Sequence, residues 1–313
     1  LAGSLPAFFL EETLLPEPPA AAAASPALGM RMTMIPRSRT ARARTASVRR
    51  PAAHRRLPSA GAKAAKSLPA IKLLILNQNR ARISTFLGVE NRKDALRGAD
   101  FVICAIQVGG YEPCTVIDFE IPKKYGLRQT IADTLGIGGI FRALRTIPVL
   151  RDFARDMEEV CPNALLLNYT NPMAMLTGYI SRYTDVKMVG LCHSVQICSE
   201  HLLKHLNMED KLEGRKELIA GINHMGWLLD IRDKDGNDLY PEIRRRAKEK
   251  NAAEKHWDMV RFDYMDKLGY YCTESSEHNA EYNPFYIKPA YPELIDRFNI
   301  PLDEYPRRCI NQI

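Results

Sequence analysis

Cys192 and His224 are the side chains of this sequence best suited to bind a metal ion together. Each follows a short apolar run, residues 187–191 and 217–221, of a length and composition typical of a β-strand. Functional sites in α/β domains are built at strand ends, so we expect the thiolate and the imidazole to meet there. Both groups bind divalent cations, and two protein ligands leave positions open for a substrate. The alternative is that Cys192 is a small buried hydrophobe and that His224 is a hydrogen-bonded core residue.

Gly136 and Gly138 lie in a glycine cluster that could approach a phosphate group. They belong to residues 133–142, which lead into an amphipathic pattern that predicts a helix running to Met157. Glycine lets the backbone come close to a ligand, and the amino terminus of a helix favours anionic groups. Loops with no phosphate nearby also use glycine, so the cluster does not decide the function by itself.

Asn168 and Asn171 follow the apolar run at residues 164–167 and precede an apolar helical segment at residues 173–183. We expect both amides to lie at the carboxyl edge of a sheet, where they could bind a sugar hydroxyl and the ribose of a nicotinamide cofactor. The alternative is that either asparagine only caps the helix or stabilises the turn.

The positions of these residues require strands that end at a common edge. Helical segments alternate with apolar runs at residues 71–76, 101–106, 164–167 and 187–191. This alternation predicts an α/β domain with a dinucleotide-binding sheet. The run at 101–106 ends in a glycine-rich exit, which is typical of the fourth strand of such a sheet.

Residues 1–70 differ in composition from the rest of the chain. They contain 11 Lys and Arg against 3 Asp and Glu, a charge of +8, whereas residues 71–313 carry −1. Without apolar periodicity, residues 1–69 are expected to form a disordered basic tail. The tail could be a transit-like presequence, a nucleic-acid-binding arm, or translated sequence upstream of the true coding region. The last is favoured because the chain opens on Leu1 and the acidic residues of the tail lie within its first 17 positions.

The body of the chain excludes several classes of partner. Its near-neutral charge provides no basic face for nucleic acid, and its apolar runs are too short to span a membrane. The seven cysteines are scattered, without a paired C-x-x-C spacing, which argues against a disulfide framework. A reducing compartment, the cytoplasm, is therefore predicted.

Eight motifs together form a highly specific pattern. They are residues 109–114 (GGYEPC), 129–136 (QTIADTLG), 142–148 (RALRTIP), 171–175 (NPMAM), 190–196 (GLCHSVQ), 221–225 (GINHM), 273–278 (TESSEH) and 301–306 (PLDEYP). With these motifs the chain resembles glycoside hydrolase family 4, the NAD- and manganese-dependent glycosidases, and in particular the α-galactosidase branch.

The resemblance implies a mechanism other than displacement between paired carboxylates. The C3 hydroxyl of the sugar is oxidised by NAD, a base removes the C2 proton, the glycosidic oxygen leaves, water adds, and the ketone is reduced again. Cys192 and His224 match the ligands of the divalent metal, which is Mn²⁺ or a similar cation. Asn171 matches the substrate-binding asparagine, and His193 matches the acid that protonates the leaving group.

The base is harder to assign from the resemblance, because family members use different residue types at that place. Asp263 is our first choice and Tyr264 the second. A surface ion pair is the alternative role for Asp263. Glu277, His278, Glu281 and Tyr282 lie in a matching stretch and are expected near the sugar, although their alternation also suits an ordinary half-exposed strand.

The chain departs from the family pattern at both ends. The family begins with a strand and a glycine turn that receives the pyrophosphate of the dinucleotide, whereas residues 71–76 here lead into residues 77–80, with no glycine before Gly88. Family members also continue well past the motif at 301–306. We therefore expect an internal fragment, with an incomplete Rossmann-like, lactate/malate dehydrogenase-like sheet at 70–196 and the start of an α+β substrate and metal domain at 197–313.

The predicted function is hydrolysis of a small-molecule α-galactoside with NAD and Mn²⁺, by a homo-oligomer when the protein is full length. One alternative is a catalytically incompetent fragment or pseudogene product that keeps the site residues. A 2-hydroxy-acid dehydrogenase on the related fold is disfavoured, because its His-Asp relay has no evident counterpart beside Cys192 and His224.

Overall fold

The computed structural model of the protein describes residues 10–12, 30–34 and 84–312. Its strands are β1 (Leu10–Glu12), β2 (Met30–Met34), β3 (Ser84–Leu87), β4 (Phe101–Cys104), β5 (Leu165–Asn168), β6 (Lys187–Gly190), β7 (Lys216–Ile222), β8 (Met225–Arg232) and β9 (Tyr271–Cys272). Its α-helices are α1 (Arg92–Leu96), α2 (Val116–Lys124), α3 (Gly136–Val160), α4 (Met173–Tyr183), α5 (Ser194–His205), α6 (Tyr240–Ala253), α7 (Met259–Leu268), α8 (Ser276–Tyr282), α9 (Glu293–Arg297) and α10 (Glu304–Gln312).

Strands β4, β5 and β6 form a parallel sheet in that order. Parallel neighbours need long crossover connections. Helices α2 and α3 lie in the first connection and α4 in the second. Apolar residues of β4 and β5, such as Val102 and Leu166, are buried in one cluster with Leu150 and Phe153 of α3. Because the three strands are parallel, they all end at one edge of the sheet, at Cys104, Asn168 and Gly190, as the sequence predicted.

Strands β7, β8 and β9 form an antiparallel sheet. Ile222 pairs with Met225, so Asn223 and His224 alone make the turn between β7 and β8. His224 has a φ of 60° in this turn, a left-handed conformation that is uncommon for a residue with a side chain. His224 therefore lies at the exit of a strand, as the sequence predicted, and is held there in a tight hairpin turn.

Helix α5 runs across the predicted domain boundary between residues 196 and 197. Its buried residues Leu202 and Leu203 pack in a cluster with Leu228 and Ile231 of β8. Helix α5 thus packs against the antiparallel sheet. Its first residue, Ser194, is connected to the parallel sheet by only three residues, 191–193. This double attachment is what brings the ends of the two sheets together.

Within the predicted tail, β1 and β2 are strands, and β2 pairs with β3. The rest of residues 1–69 lies outside the described residues, as do the strand predicted at 71–76 and the glycine-free stretch at 77–80. Over the described ranges, no helix combines the length and the apolar character that crossing a membrane requires.

Candidate active site

A cavity of about 340 Å³ opens where the edge of the parallel sheet faces the β7–β8 turn. Its walls come from the segments that follow the strands and from the starts of α5, α8 and α10. The lining residues are Ile131, Asp133, Tyr169, Asn171, Leu191, Cys192, His193, Ser194, Ile197, His224, Glu274, His278, Tyr305 and Arg308. Four of the residues predicted from the sequence to act in catalysis or binding therefore meet in one cavity: Asn171, Cys192, His193 and His224.

Cys192 lies between the end of β6 and the first residue of α5. The backbone N–H of Ser194 donates to Cys192 Sγ at 3.4 Å. Burial alone would raise the pKa of the Cys192 thiol, but hydrogen bonds with His224 and Ser194 lower that pKa below its ordinary value. The amino terminus of a helix favours the same anionic form. The site thus promotes the thiolate, which is the form that binds metals.

The hydrogen bonds of Thr134 define the tautomer of His224. Thr134 Oγ1 donates to Asp133 Oδ1 at 2.8 Å and lies 2.7 Å from His224 Nδ1. A hydroxyl has a single proton, so Thr134 accepts from His224, and Nδ1 carries the hydrogen. Nε2, which lies 3.6 Å from Glu274 Oε2, is then the ring atom left to bind a cation. A partner that holds a histidine in this way is typical of metal-binding histidines.

Glu274 completes a cluster of three donor groups, although the sequence analysis did not select it. Its Oε2 atom lies 3.6 Å from His224 Nε2 and 3.9 Å from Cys192 Sγ. The sulfur, nitrogen and carboxylate donors all lie within 4.8 Å of one another. Three atoms at such separations can surround one cation. We call Cys192, His224 and Glu274 the metal cluster.

A buried ion pair holds Glu274 in place. Arg261, which is 4% exposed, pairs with the fully buried carboxylate of Asp258 and donates to the backbone carbonyl of Glu274. Ser276 also donates to Asp258, at 2.9 Å. Glu274 has a φ of 66°, so its backbone is in the left-handed region that residues with side chains rarely adopt. The guanidinium clamp therefore stabilises an unusual backbone that turns the Glu274 side chain into the cavity.

Asp133 and His278 form a second pair on the cavity wall, with 3.7 Å between Oδ1 and Nε2. Burial would raise the pKa of Asp133, but the hydrogen bond and positive charge of His278 hold it well below its usual range. Burial would lower the pKa of His278, yet Asp133 raises it, with Glu274 and Glu281 contributing. Asp133 also accepts from Asn171 Nδ2 at 2.9 Å. This pair therefore orients the amide of Asn171.

Glu281 has a structural role beneath the cavity. Its carboxylate accepts backbone N–H groups from Thr130, Ile131 and Ala132 at 2.7 to 3.1 Å. These bonds stabilise the segment that ends in Asp133. Of the four residues expected near the sugar between 277 and 282, only His278 lines this cavity.

The residues predicted to bind the dinucleotide make contacts within the fold. Asn168 is fully buried, and its side chain closes a turn with the backbone of Thr170. A Cβ atom at Gly138 would lie 2.6 Å from Ala132 Cβ, so this glycine permits close packing. The Gly138 N–H already donates to Gln129 Oε1 at 3.1 Å. Gly136 has a φ of 74° and lines a different cavity. These contacts agree with the alternatives of a turn and a packed loop, and binding of the dinucleotide by these residues stays a prediction.

Asp263, the predicted base, does not reach the cavity. Its carboxylate pairs with Lys267 on the same helix and accepts from the hydroxyl of Tyr286 at 2.7 Å. Tyr264, the second choice, is buried and packs edge-on against Tyr286 and Trp227. Tyr264 packs in an apolar cluster with Val260 and Tyr286, and Asp263 bonds to that same Tyr286, so neither side chain lines the cavity.

Two family models match almost all of the chain after residue 67. The model described as family 4 glycosyl hydrolase matches residues 68–208, and the model of the family 4 C-terminal domain matches residues 219–313. The chain belongs to glycosyl hydrolase family 4. The resemblance drawn from the motifs is thereby confirmed.

Relatives within family 4 include several kinds of glycosidase. An alpha-galactosidase of Bacillus subtilis (strain 168) is 65% identical over 243 residues, which are 77% of this chain and 55% of that protein. The chain spans about half the length of these curated relatives.

Solved structures of family 4 enzymes share the fold, which confirms the predicted α/β, Rossmann-like class. A 6-phospho-alpha-glucosidase from gut microorganisms, in complex with NAD and Mn²⁺, is 25% identical with a TM-score of 0.51, covering 70% of this chain and 52% of that chain. The 6-phospho-beta glucosidase of Thermotoga maritima, solved with manganese, NAD⁺ and glucose-6-phosphate, is 20% identical with a TM-score of 0.57, covering 80% and 56%.

Proposed function

We propose that the protein is a metal- and NAD-dependent α-galactosidase of family 4. The observation that carries the proposal is the metal cluster, which lies in one cavity with Asn171 and His193. The 65% identity to an alpha-galactosidase supports this choice of sugar over those of the other relatives.

The donor set fits a divalent cation. Cys192 and His224 would be its ligands, since thiolate and imidazole both bind divalent cations. The choice of Mn²⁺ follows from the similar enzymes that were solved with this ion. The amide of Asn223, next to His224, has both polar atoms buried without a partner among the described residues, an arrangement expected beside a bound group. The cation would supply Lewis-acid stabilisation of negative charge on the C2 and C3 oxygens of the sugar.

Glu274 is our candidate for the base that removes the C2 proton. It is a carboxylate beside both metal ligands, and the C2 proton of a sugar held through its C2 and C3 oxygens must lie close to them. Asp133, the other carboxylate on the cavity wall, is engaged by Thr134, Asn171 and His278. Glu274 therefore replaces Asp263 in this role.

His193 is our candidate for the acid that protonates the departing glycosidic oxygen. It immediately precedes α5, is exposed to the cavity, and lies with its ring centroid 6.3 Å from that of Tyr169. Asn171, held by Asp133, would bind a sugar hydroxyl. The proton removed by Glu274 and the proton given by His193 balance the elimination, and water then adds to the unsaturated sugar.

Reversible oxidation at C3 is the chemistry that NAD would supply when bound. The fit of the chain to NAD is partial. The carboxyl edge of β4, β5 and β6 is the place where such a sheet receives a dinucleotide. Between Gly61 and Gly88, however, the sequence has no glycine for a pyrophosphate turn. This absence favours the second candidate function, a chain that retains the metal cluster without catalytic competence.

The expected setting is the cytoplasm, with a homo-oligomer as the active form. All seven cysteines are free thiols, which suits a reducing compartment. The oligomer is an expectation from the family resemblance.

Turnover of p-nitrophenyl α-galactoside distinguishes the two candidate functions. With Mn²⁺ and NAD added, we expect release of nitrophenol that stops when the metal is chelated and is lost in Cys192→Ser. Mn²⁺ binding without turnover, in wild-type protein saturated with NAD, would favour the incompetent chain.

A further inference from the structure

Two histidines that do not line the catalytic cavity pack against each other. His205 is the last residue of α5, and His256 lies in the segment between α6 and α7. The centroids of their rings are 4.9 Å apart, and His205 Nε2 lies 3.1 Å from His256 Nδ1. We call these residues the histidine pair. None of the functions proposed so far uses them.

Hydrogen bonds require the ring of His256 to be neutral. The backbone N–H of Asp258 donates to His256 Nδ1 at 3.1 Å, so this nitrogen carries no hydrogen. The hydrogen of the neutral ring is then on Nε2, which donates to Asn251 Oδ1 at 2.8 Å. His205 Nε2 must likewise donate to His256 Nδ1. A proton on Nδ1 would face the amide of Asp258, and a backbone N–H cannot become an acceptor.

The surroundings of the histidine pair also oppose a positive charge. Burial, together with the charge of His205, lowers the pKa of His256 to about 4. Burial lowers the pKa of His205 as well. The remaining charged groups that act on the pair lie near the end of α6 and the start of α7: Lys250, Glu254, Asp258 and Arg261. The two cations among them oppose protonation and the two carboxylates favour it, so burial decides the direction.

The amide bound by His256 belongs to the residue on which the guanidinium clamp of Glu274 depends. The buried carboxylate of Asp258 pairs with Arg261, and Arg261 donates to the backbone carbonyl of Glu274. The left-handed backbone of Glu274 is strained and needs such support. A displacement of Asp258 is therefore transmitted to Glu274 through one ion pair and one hydrogen bond.

We propose that the histidine pair positions Glu274 and that acid releases it. While His256 is neutral, its Nδ1 atom holds the amide of Asp258, and Arg261 stays on the carbonyl of Glu274. A proton on His256 removes that acceptor, so Asp258 and Arg261 move away and Glu274 leaves its left-handed conformation. Both histidines are positioning residues, since neither lines the cavity. The proposal goes beyond the proposed function and stands whether or not the chain hydrolyses a galactoside.

Hydrogen–deuterium exchange of the whole chain, read by mass spectrometry, tests this coupling. The pKa of His256 is about 4 in the folded chain and about 6.5 in a released segment, so the held form is complete above about pH 6.5. Below that pH, the released fraction should rise roughly tenfold per pH unit until about pH 4. Relative to the intrinsic rates of their amides, residues 256–262 and 272–276 should therefore exchange faster at pH 5 than at pH 7.

Three variants separate the histidine pair from a general effect of acid. His256→Asn should abolish the change, because an asparagine accepts the N–H two residues further on and gains no proton. His256→Leu lacks the acceptor at every pH, so it should already exchange faster at pH 7. His201→Asn is the matched control, since His201 is an exposed histidine one turn earlier on α5, and it should behave as wild type.

Exchange that is unchanged between pH 7 and pH 5 in wild type, or a change that persists in His256→Asn, would overturn the proposal. A change confined to residues 256–262 would do the same, because Glu274 would then be independent of the pair. The fluorescence of Trp257 decides the matter if the His256 variants do not fold, since its ring centroid is 4.8 Å from that of His205. The signal lost in Trp257→Phe should have the same pH midpoint as exchange at residues 272–276, and different midpoints would contradict the coupling.

Discussion

The metal cluster and the glycine segment, the glycine cluster of residues 133–142 at the start of α3, both place polar groups at the end of an element. The polar groups of the metal cluster are free to bind a ligand, whereas those of the glycine segment are used within the fold. Cys192 Sγ, His224 Nε2 and the Glu274 carboxylate face one cavity, because Ser194, Thr134 and Arg261 hold them from behind. At the glycine segment, the N–H of Gly138 is already bonded to Gln129.

The difference shows what turns a motif into a site. A side chain can act on a ligand when neighbouring groups satisfy its backbone and orient its reactive atom. A glycine or an asparagine whose polar groups are satisfied by its own turn contributes to packing alone.

Replacing Cys192 by Ser should have the largest effect, because it removes a charged ligand with almost no change in volume. We expect the affinity for Mn²⁺ to fall by more than about a hundredfold, since even the loss of an outer partner costs up to that much. The melting temperature of the metal-free protein should fall by at most about 4 °C. Cys114→Ser, at a half-buried thiol outside the cavity, is the control for calorimetric titration with Mn²⁺. Equal affinity in the two variants would remove Cys192 from the metal cluster.

Glu274→Gln should slow turnover by about a hundredfold or more, the usual contribution of a general base. Affinity for Mn²⁺ should change much less than in Cys192→Ser, because Glu274 is proposed as a base and the cation retains its two ligands. Asp263→Asn is the control, since this carboxylate lies outside the cavity, and its turnover should stay within about twofold. Steady-state rates and Mn²⁺ titrations of both variants decide the matter. Loss of Mn²⁺ affinity comparable to that of Cys192→Ser would make Glu274 a third ligand.

Thr134→Val should weaken Mn²⁺ binding by about 10- to 100-fold, the usual effect of losing the group that orients a metal-binding histidine. The valine cannot accept the proton of His224 Nδ1, so the ring loses its preferred tautomer. Thr134→Ser keeps the hydroxyl and should restore the affinity. Thr146→Val, at a fully buried hydroxyl that bonds only within α3, controls for the loss of a buried polar group. Equal Mn²⁺ affinity in Thr134→Val and wild type would exclude this role.

Gly138→Ala should affect stability and no ligand. The added methyl group would lie 2.7 Å from the carbonyl oxygen of Ala132, and such overpacking costs about 1–3 kcal/mol of unfolding free energy. Urea unfolding measures this loss. If the folded variant instead lost affinity for NAD at unchanged stability, the glycine segment would be a phosphate site after all.

Local patterns sufficed to predict the elements that position the site. The apolar runs that became β4, β5 and β6 and the periodic segments that became α3 and α4 were recognisable, because burial imposes a distinct period on each kind of element. Cys192 and His224 were selected from their residue types and from the motifs around them, and the structure places both on one cavity.

Glu274 and Asp263 show what the sequence did not reveal about side-chain placement. Glu274 reaches the cavity through a left-handed backbone stabilised by Arg261, a contact between two elements that no spacing in the sequence reveals. Asp263 lies two residues from Arg261 on α7, and the turn of the helix directs it to Lys267 and Tyr286. Side chains two residues apart on a helix point to nearly opposite faces. Predicting the helix was therefore not enough to predict which of its side chains faces the cavity.

The most direct test of the proposed chemistry is the fate of the C2 hydrogen. The reaction of wild-type protein with p-nitrophenyl α-galactoside, Mn²⁺ and NAD is run in D₂O, and the released galactose is analysed by mass spectrometry and NMR. Elimination requires the C2 proton to leave before the glycosidic bond breaks, so we expect deuterium at C2 of the released galactose. Galactose released without deuterium at C2 would contradict elimination and indicate direct displacement at the glycosidic carbon.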